Sequence, residues 1–309
     1  MIPEFRDDRQ TRALTGVPTE KLPLLEDAFA VAWDDEKERA YQEGFSKGER
    51  QRKPGGGQKG KLPTVHEKLT FLLYYLKVYP TFDVLGAQFG IDRSKACKNV
   101  HALLPILCKA LKNLGVLPHR EFKTVEEFRA ACDWVEELLI DATERPHSRP
   151  TDNKKQRDLY SGKKKRHMLK NTIMATVTKW ILFVGRTFSG HEHDFTMLKD
   201  EFSPEHAWFE TIRVLVDLGY QGILDAYEGE NIEIPHKKPR KSKKNPNPEL
   251  TTEQKAENQA LSRVRVFVEN AISGIKRFNI LVYAFRNHKT NMEDDVMAMC
   301  AGLWNFLLI

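Results

Sequence analysis

Leu138-Leu139-Ile140-Asp141 and Val214-Leu215-Val216-Asp217 are the two stretches that decide how this chain folds. Each is a short apolar run that stops on an aspartate, the pattern of a buried strand delivering a charge at its carboxyl end. The second is followed at once by the turn Leu218-Gly219-Tyr220. A third acid, Glu269, lies in a long helical pattern beside the apolar stripe Leu261, Val264, Val268, Ile272 and Ile275. Two strands and a helix can bring three carboxylates to one point. Converging carboxylates repel, so a cation is expected to hold them, and hard oxygen ligands suit Mg²⁺ or Mn²⁺. That equipment serves two-metal phosphodiester chemistry.

Working outward, the chain changes character near residue 133. Beyond it, residues 136–141 read as a strand, Lys170–Thr178 with Trp180–Thr187 as a hairpin, and His193–Glu201 as a short helix. Residues 213–217 and Ile232–Pro235 read as two more strands. A long helix to about residue 277 follows, then a last helix over Asp294–Leu308. This order predicts an α/β fold of ribonuclease-H-like type, with an aspartate on its first and fourth strands.

Before residue 120 the pattern is helical. Residues 18–33 read as a short amphipathic helix and 52–61 as a flexible basic linker containing Pro54-Gly55-Gly56-Gly57. Leu69, Leu72, Leu73 and Leu76 give one helix its apolar face. Residues 81–100 then parse as helix, Gly90 turn, helix, capped by Asp92 or Ser94. That is the layout of a helix-turn-helix, whose second helix would show Arg93, Ser94, Lys95 and Lys98 to a major groove. A plain helical bundle satisfies the same pattern. The expected domains are therefore 1–60 as a helical segment and linker, 61–120 as a helix-turn-helix, and 125–309 as the catalytic domain. The first 50 residues read as an oligomerising or end-binding appendage.

The net charge is +6. Residues 151–170 carry eight Lys/Arg against two Asp, and residues 236–246 carry six Lys/Arg and no acid. The rest of the chain is therefore net acidic. Two concentrated basic segments suggest a polyanion, although either alone is more readily read as a solvated loop. No apolar run reaches the roughly 18 residues of a membrane span, and the first twelve residues lack a signal-peptide core. Cys97, Cys108, Cys132 and Cys300 form no Cys-x-x-Cys pair, which fits a reducing compartment rather than a zinc site or disulfide framework. His191-Glu192-His193-Asp194 lacks both the His-Glu-x-x-His spacing and a third zinc ligand. Trp180 and Trp208 are expected in the core.

Asp141-Ala142-Thr143-Glu144-Arg145, Tyr160-Ser161-Gly162-Lys163-Lys164-Lys165-Arg166-His167 and Asp217-Leu218-Gly219-Tyr220-Gln221-Gly222, taken in that order, resemble bacterial insertion-sequence transposases of the DDE superfamily. Eukaryotic Harbinger-type enzymes are similar. Arg265, Glu269 and Lys276 have the Arg-x3-Glu-x6-Lys spacing around the third acid of that family. The Gly-rich linker, Tyr75–Phe82 and the helix-turn-helix resemble its N-terminal half. Related subgroups place Tyr where this chain has Ser262. The resemblance implies a DNA transposase in which Asp141 bridges two Mg²⁺ ions while Asp217 and Glu269 each hold one. The enzyme would cut transposon ends and join the 3′-hydroxyl to target DNA, a recombination reaction. It implies double-stranded DNA as partner, a homo-oligomer on that DNA, and no membrane or small-molecule cofactor. Lys163, Lys164, Lys165, Arg166, His167, Arg265 and Lys276 are expected on the DNA, and His193 and Asp194 capping a helix near the site. The expected location is cytoplasmic on DNA, or nuclear in a eukaryote. The alternatives are a domesticated, non-transposing DNA-binding protein and a structure-selective nuclease of the same fold.

Overall fold

A computed structural model describes residues 5–53, 60–227, 231–242, 245–287 and 289–309. Most of the Gly-rich linker, and Lys243 and Lys244 of the second basic segment, fall outside the described residues. By their contacts the residues form two units. One contains 1–117, 276–283 and 295–309, and the other contains 118–275 and 284–294.

The helical unit begins with α1 (Asp8–Thr15), capped by Asp7, whose carboxylate accepts from Gln10 N–H. Helix α2 spans Leu22–Ser46, well beyond the expected 18–33. Its apolar face is Leu22, Leu25, Phe29 and Ala32. Past these the helix is carried by charge pairs one turn apart, such as Arg39–Glu43 at 3.2 Å and Lys47–Glu43 at 2.7 Å, which a search for apolar periodicity overlooks. A Thr64–Glu67 capping box opens α3 (Val65–Val78). Thr81 caps α4 (Phe82–Phe89), and Asp92 caps α5 (Arg93–Asn113) by accepting from Lys95 N–H at 2.9 Å. Between α4 and α5, Gly90 closes the turn at φ +64°. A Cβ on Gly86 would sit 2.5 Å from the Ile91 carbonyl, so the turn folds back tightly on α4. Leu85 and Phe89 are buried with Ala96 and Val100, and Phe89 meets Phe71 edge to face at 5.0 Å.

The second unit opens with α6 (Val125–Ala131) and β1 (Glu137–Pro146). Then come α7 (Asn153–Leu159), β2 (Tyr160–Ser161), β3 (Arg166–Thr176), β4 (Ile181–Val184) and β5 (Phe188–Ser189). After α8 (Asp194–Glu201) follow β6 (Arg213–Leu215), α9 (Ile223–Ala226), β7 (Ile232–Glu233) and α10 (Thr252–Ile275). Strand β3 lies antiparallel to β1 on one side and to β4 and β5 on the other, while β1, β6 and β7 run parallel. The order β4-β3-β1-β6-β7 is ribonuclease-H-like, as expected. One face carries an aromatic core. Phe202 meets Phe183 at 5.0 Å and Trp208 at 5.3 Å, and Phe128 and Phe209 surround them. Trp208 is core, with its indole N–H donating to the Ser203 carbonyl at 3.0 Å. Trp180 is half-buried, edge-on to Trp134.

The last helix, α11 (Met292–Leu308), buries Val296, Met299, Leu303 and Phe306. From residue 295 it belongs to the helical unit. Gly302 there lets the Leu111 and Leu117 side chains approach within 3.2 Å of where a Cβ would lie, and the Asn305 amide donates to the Val116 carbonyl at 3.0 Å. None of the four cysteines is in a disulfide, and among the described residues no helix is long and apolar enough to cross a membrane.

Candidate active site

Strand β1 runs on five residues past Asp141, so this carboxylate stands in mid-strand rather than at a strand end. The antiparallel partner explains the extension, because β3 continues to pair through Asp141↔Ile173 as far as Pro146↔Met168. The parallel partner stops sooner. Strand β6 pairs with β1 only from Glu137↔Arg213 to Leu139↔Leu215. Asp141 and Asp217 are each two residues beyond that last pair, so the two carboxylates emerge side by side where the parallel strands part.

Their surroundings act on Asp141. Burial pushes its carboxyl up to about 6, nearby Asp217 and Asp194 push the same way, and Arg265 opposes them. The Arg265 guanidinium, on α10, lies 3.5 Å from Asp141, with both side chains largely buried. Asp217 also does ordinary structural work, since its carboxylate accepts from Gly219 N–H at 2.7 Å and caps the following turn. The fully buried Tyr220 hydroxyl, raised by burial and by Asp141, Asp194 and Asp217, has no hydrogen-bond partner in the described structure.

Asp194 stands closer to the pair than its sequence context suggested. A Cβ on Gly219 would lie 2.8 Å from Asp217 Oδ1 and 3.0 Å from Asp194 Oδ2, so both acids flank this glycine. Asp194 opens α8, and its other oxygen accepts from Lys170 Nζ at 2.9 Å. Lys170, deep in β3, also donates to the Glu192 carbonyl at 2.8 Å and lies 3.7 Å from Glu144. The signal for this pair was present in Met168-Leu169-Lys170-Asn171-Thr172-Ile173, because a lysine in a buried strand requires a partner. His193 occupies the cap position of α8 without a side-chain bond, and His191 Nδ1 contacts the Asp158 carbonyl at 2.6 Å.

Glu269 is not gathered with the two aspartates. It is exposed, and it makes no hydrogen bond or ion pair with the described residues. Among the described residues no three His, Cys, Asp or Glu side chains are grouped to hold one ion. Asn258, Arg265 and Glu269 all lie on α10, where Asn258 clamps the backbone of His236 through two bonds of 2.7 and 3.0 Å. Lys276 follows the end of that helix and belongs to the helical unit.

The candidate DNA contacts are on the surface. Arg93, Ser94, Lys95 and Lys98 are exposed on the first turns of α5. Lys163, Lys164, Lys165 and Arg166 are exposed around the β2–β3 turn, with His167 half-buried behind them. Lys165 adopts φ +53° there, and its N–H donates to the Ser161 carbonyl at 2.7 Å. In the second basic segment Lys237, Lys238, Arg240 and Lys241 are exposed.

Comparison with known proteins gives this geometry a family. A helix-turn-helix of DDE superfamily endonucleases matches residues 60–113, the span of α3 to α5. A curated relative, the "Probable transposase for insertion sequence element IS702" of Microchaete diplosiphon, is 29% identical over 268 residues, covering 85% of this chain and 87% of the relative. No solved structure matches. The family model described as DDE superfamily endonuclease matches residues 140–305, more than half of the chain, and the chain belongs to that family.

Proposed function

We propose that this protein is a DNA transposase that cleaves transposon ends and transfers the 3′-hydroxyl into target DNA. The observation that carries this reading is the parallel register that delivers Asp141 and Asp217 as neighbours at the opening between β1 and β6. The family, and the similarity to a probable insertion-sequence transposase, support it.

The donor chemistry fits a divalent cation. Two adjacent carboxylates, one pushed up to about 6, are a like-charged pair that a cation relieves, and oxygen ligands favour Mg²⁺ or Mn²⁺. Asp141, Asp217 and Glu269 would hold two such ions, which activate water and stabilise the leaving oxygen. Glu269 completes the set only if α10 presents it from its present exposed position. Arg265 pairs with Asp141 in the structure as it stands, and on DNA both Arg265 and Lys276 would hold phosphates. The helix-turn-helix within residues 61–120 would read the terminal repeats through Arg93, Ser94, Lys95 and Lys98, and the sheet within 125–309 would carry the chemistry. Lys163, Lys164, Lys165, Arg166 and His167 would track the backbone. Joining two ends in concert calls for a homo-oligomer on DNA.

The test is cleavage and strand transfer with a cognate end duplex and Mg²⁺. Asp141→Asn, Asp217→Asn and Glu269→Gln are each expected to abolish both while leaving duplex affinity within about twofold. Full cleavage by any one of them defeats the assignment. The exposure of Glu269 favours a second reading, a protein that binds DNA and no longer cuts it. Titration of Mn²⁺ separates the two. Binding by wild type that Asp141→Ala loses supports the enzyme, whereas no effect of Mn²⁺ with duplex DNA present supports the binding-only protein.

A further inference from the structure

We propose that the base of the β2–β3 hairpin is a pocket for one unpaired nucleotide of a DNA strand, an inference that rests on the DNA-processing reading above. A cavity of about 710 Å³ opens there, lined by Arg149, Asn153, Gln156, Arg157, Tyr160 and His167. Its volume lies within the several hundred Å³ typical of small-ligand sites and is far larger than a phosphate needs. Among the described residues its lining contains no acid, although Asp152 caps the flanking α7 and Asp158 lies within it.

The chemistry matches the parts of a nucleotide. Arg149 and Arg157 offer guanidinium groups to a phosphate. Asn153 and Gln156 offer carboxamides, which both donate and accept, to a base edge. Gln156 is already oriented by Arg149, whose Nε donates to its side-chain oxygen at 3.0 Å. Tyr160 and His167 are cross-strand partners in the hairpin, and their rings meet edge to face at 5.9 Å. Tyr160 remains 44% exposed, so its ring is available for stacking.

The pocket shares Tyr160 and His167 with the hairpin that carries the cationic turn, and α7 with the loop before it supplies the rest of the lining. Strands β2 and β3 pair only at Tyr160↔His167 and Ser161↔Arg166, so the ring pair forms the base of the hairpin and Lys163, Lys164 and Lys165 form its tip. A strand whose phosphates follow the tip would pass the mouth of the cavity. Bases within a duplex are stacked and paired, so only an unpaired or extruded nucleotide can enter. Aromatic stacking is tolerant of base identity, which suits a strand of arbitrary sequence better than a fixed duplex site.

The experiment measures binding of the full chain to a labelled single-stranded oligothymidylate and to a duplex of equal length, with thymidine monophosphate as competitor. Tyr160→Ala is expected to weaken single-strand binding by about 5- to 150-fold, the loss of one base–aromatic stack, and to leave duplex binding unchanged. Tyr160→Phe, which keeps the ring, should restore it. The salt dependence should be unaltered in Tyr160→Ala but shallower when Lys163, Lys164 and Lys165 are all changed to Gln. Equal affinity of Tyr160→Ala and wild type for the single strand overturns the pocket, as does equal weakening for both DNAs. Competition by the mononucleotide at the concentration of strand nucleotides overturns the strand and assigns a free-nucleotide site. If wild type binds neither DNA, the DNA-processing reading itself fails.

Discussion

Lys170 and Glu201 show how single buried charges are handled around this sheet. Lys170 is 11% exposed at its side chain and is held by Asp194, Glu144 and a carbonyl. Removing one member of a buried ion pair leaves the other uncompensated, so Lys170→Met is expected to cost about 3–5 kcal/mol by denaturant unfolding. Replacing the pair together, Lys170→Met with Asp194→Leu, should recover a large part of that loss. Equal stability of wild type and Lys170→Met would mean that the pair holds nothing in place. Glu201 is packed against Gly185 and accepts from Arg186 N–H at 2.7 Å. Burial pushes its carboxyl up to about 7, partly opposed by its hydrogen bonds and by Arg120. A carboxyl with a raised folded pKa contributes stability below its unfolded value near 4.5, and that contribution is lost as pH rises through about 7. Thermal unfolding of Glu201→Gln should therefore depend less on pH between about 4.5 and 7, and the variant should gain on wild type as pH rises. Parallel pH profiles for the two proteins would contradict this.

The turn between α4 and α5 is the element on which the proposed DNA reader depends. Gly86 lies within 2.5 Å, measured from an added Cβ, of the Ile91 carbonyl, and that backbone cannot move without shifting the Asp92 cap. Gly86→Ala is expected to cost about 1–3 kcal/mol through overpacking and to weaken duplex binding by misplacing Arg93, Lys95 and Lys98. Calorimetry and a duplex titration check the two parts separately. Unchanged stability would show that the turn yields, and unchanged binding would show that α5 is not the reader. Helix α10 carries a similar weight in the other unit. One face holds Arg265 against Asp141, Asn258 fixes the His236 backbone, and Glu269 faces solvent one turn after Arg265.

The whole chain does not fold in sequence order. Residues 1–117 share a unit with 295–309, and α11 contributes Val296, Met299, Leu303 and Phe306 to buried positions. Lys21 Nζ donates to the Leu307 carbonyl at 2.9 Å, tying the first third of the chain to its end. Residues 1–117 produced alone should expose apolar surface, bind a hydrophobic dye and unfold without a sharp transition. Adding the 292–309 segment in trans should raise and sharpen that transition. A sharp, unchanged transition in the isolated segment would show that α11 is dispensable.

Much of this was legible along the chain. Apolar runs, cap residues and Gly90 located most helices and strands, because burial on one face imposes a period of 3.6 or 2. The two Asp-terminated runs identified the core of the candidate site, because parallel strands paired at Leu139↔Leu215 bring equal offsets together. The tertiary structure alone placed Asp141 in mid-strand, through the long antiparallel partner β3. It likewise set Lys170 and Asp194 beside the aspartates, left Glu269 exposed, assigned α11 to the helical unit, and opened a cavity beneath Tyr160. These are matters of which distant segments pack together, and a local period carries no information about its partner.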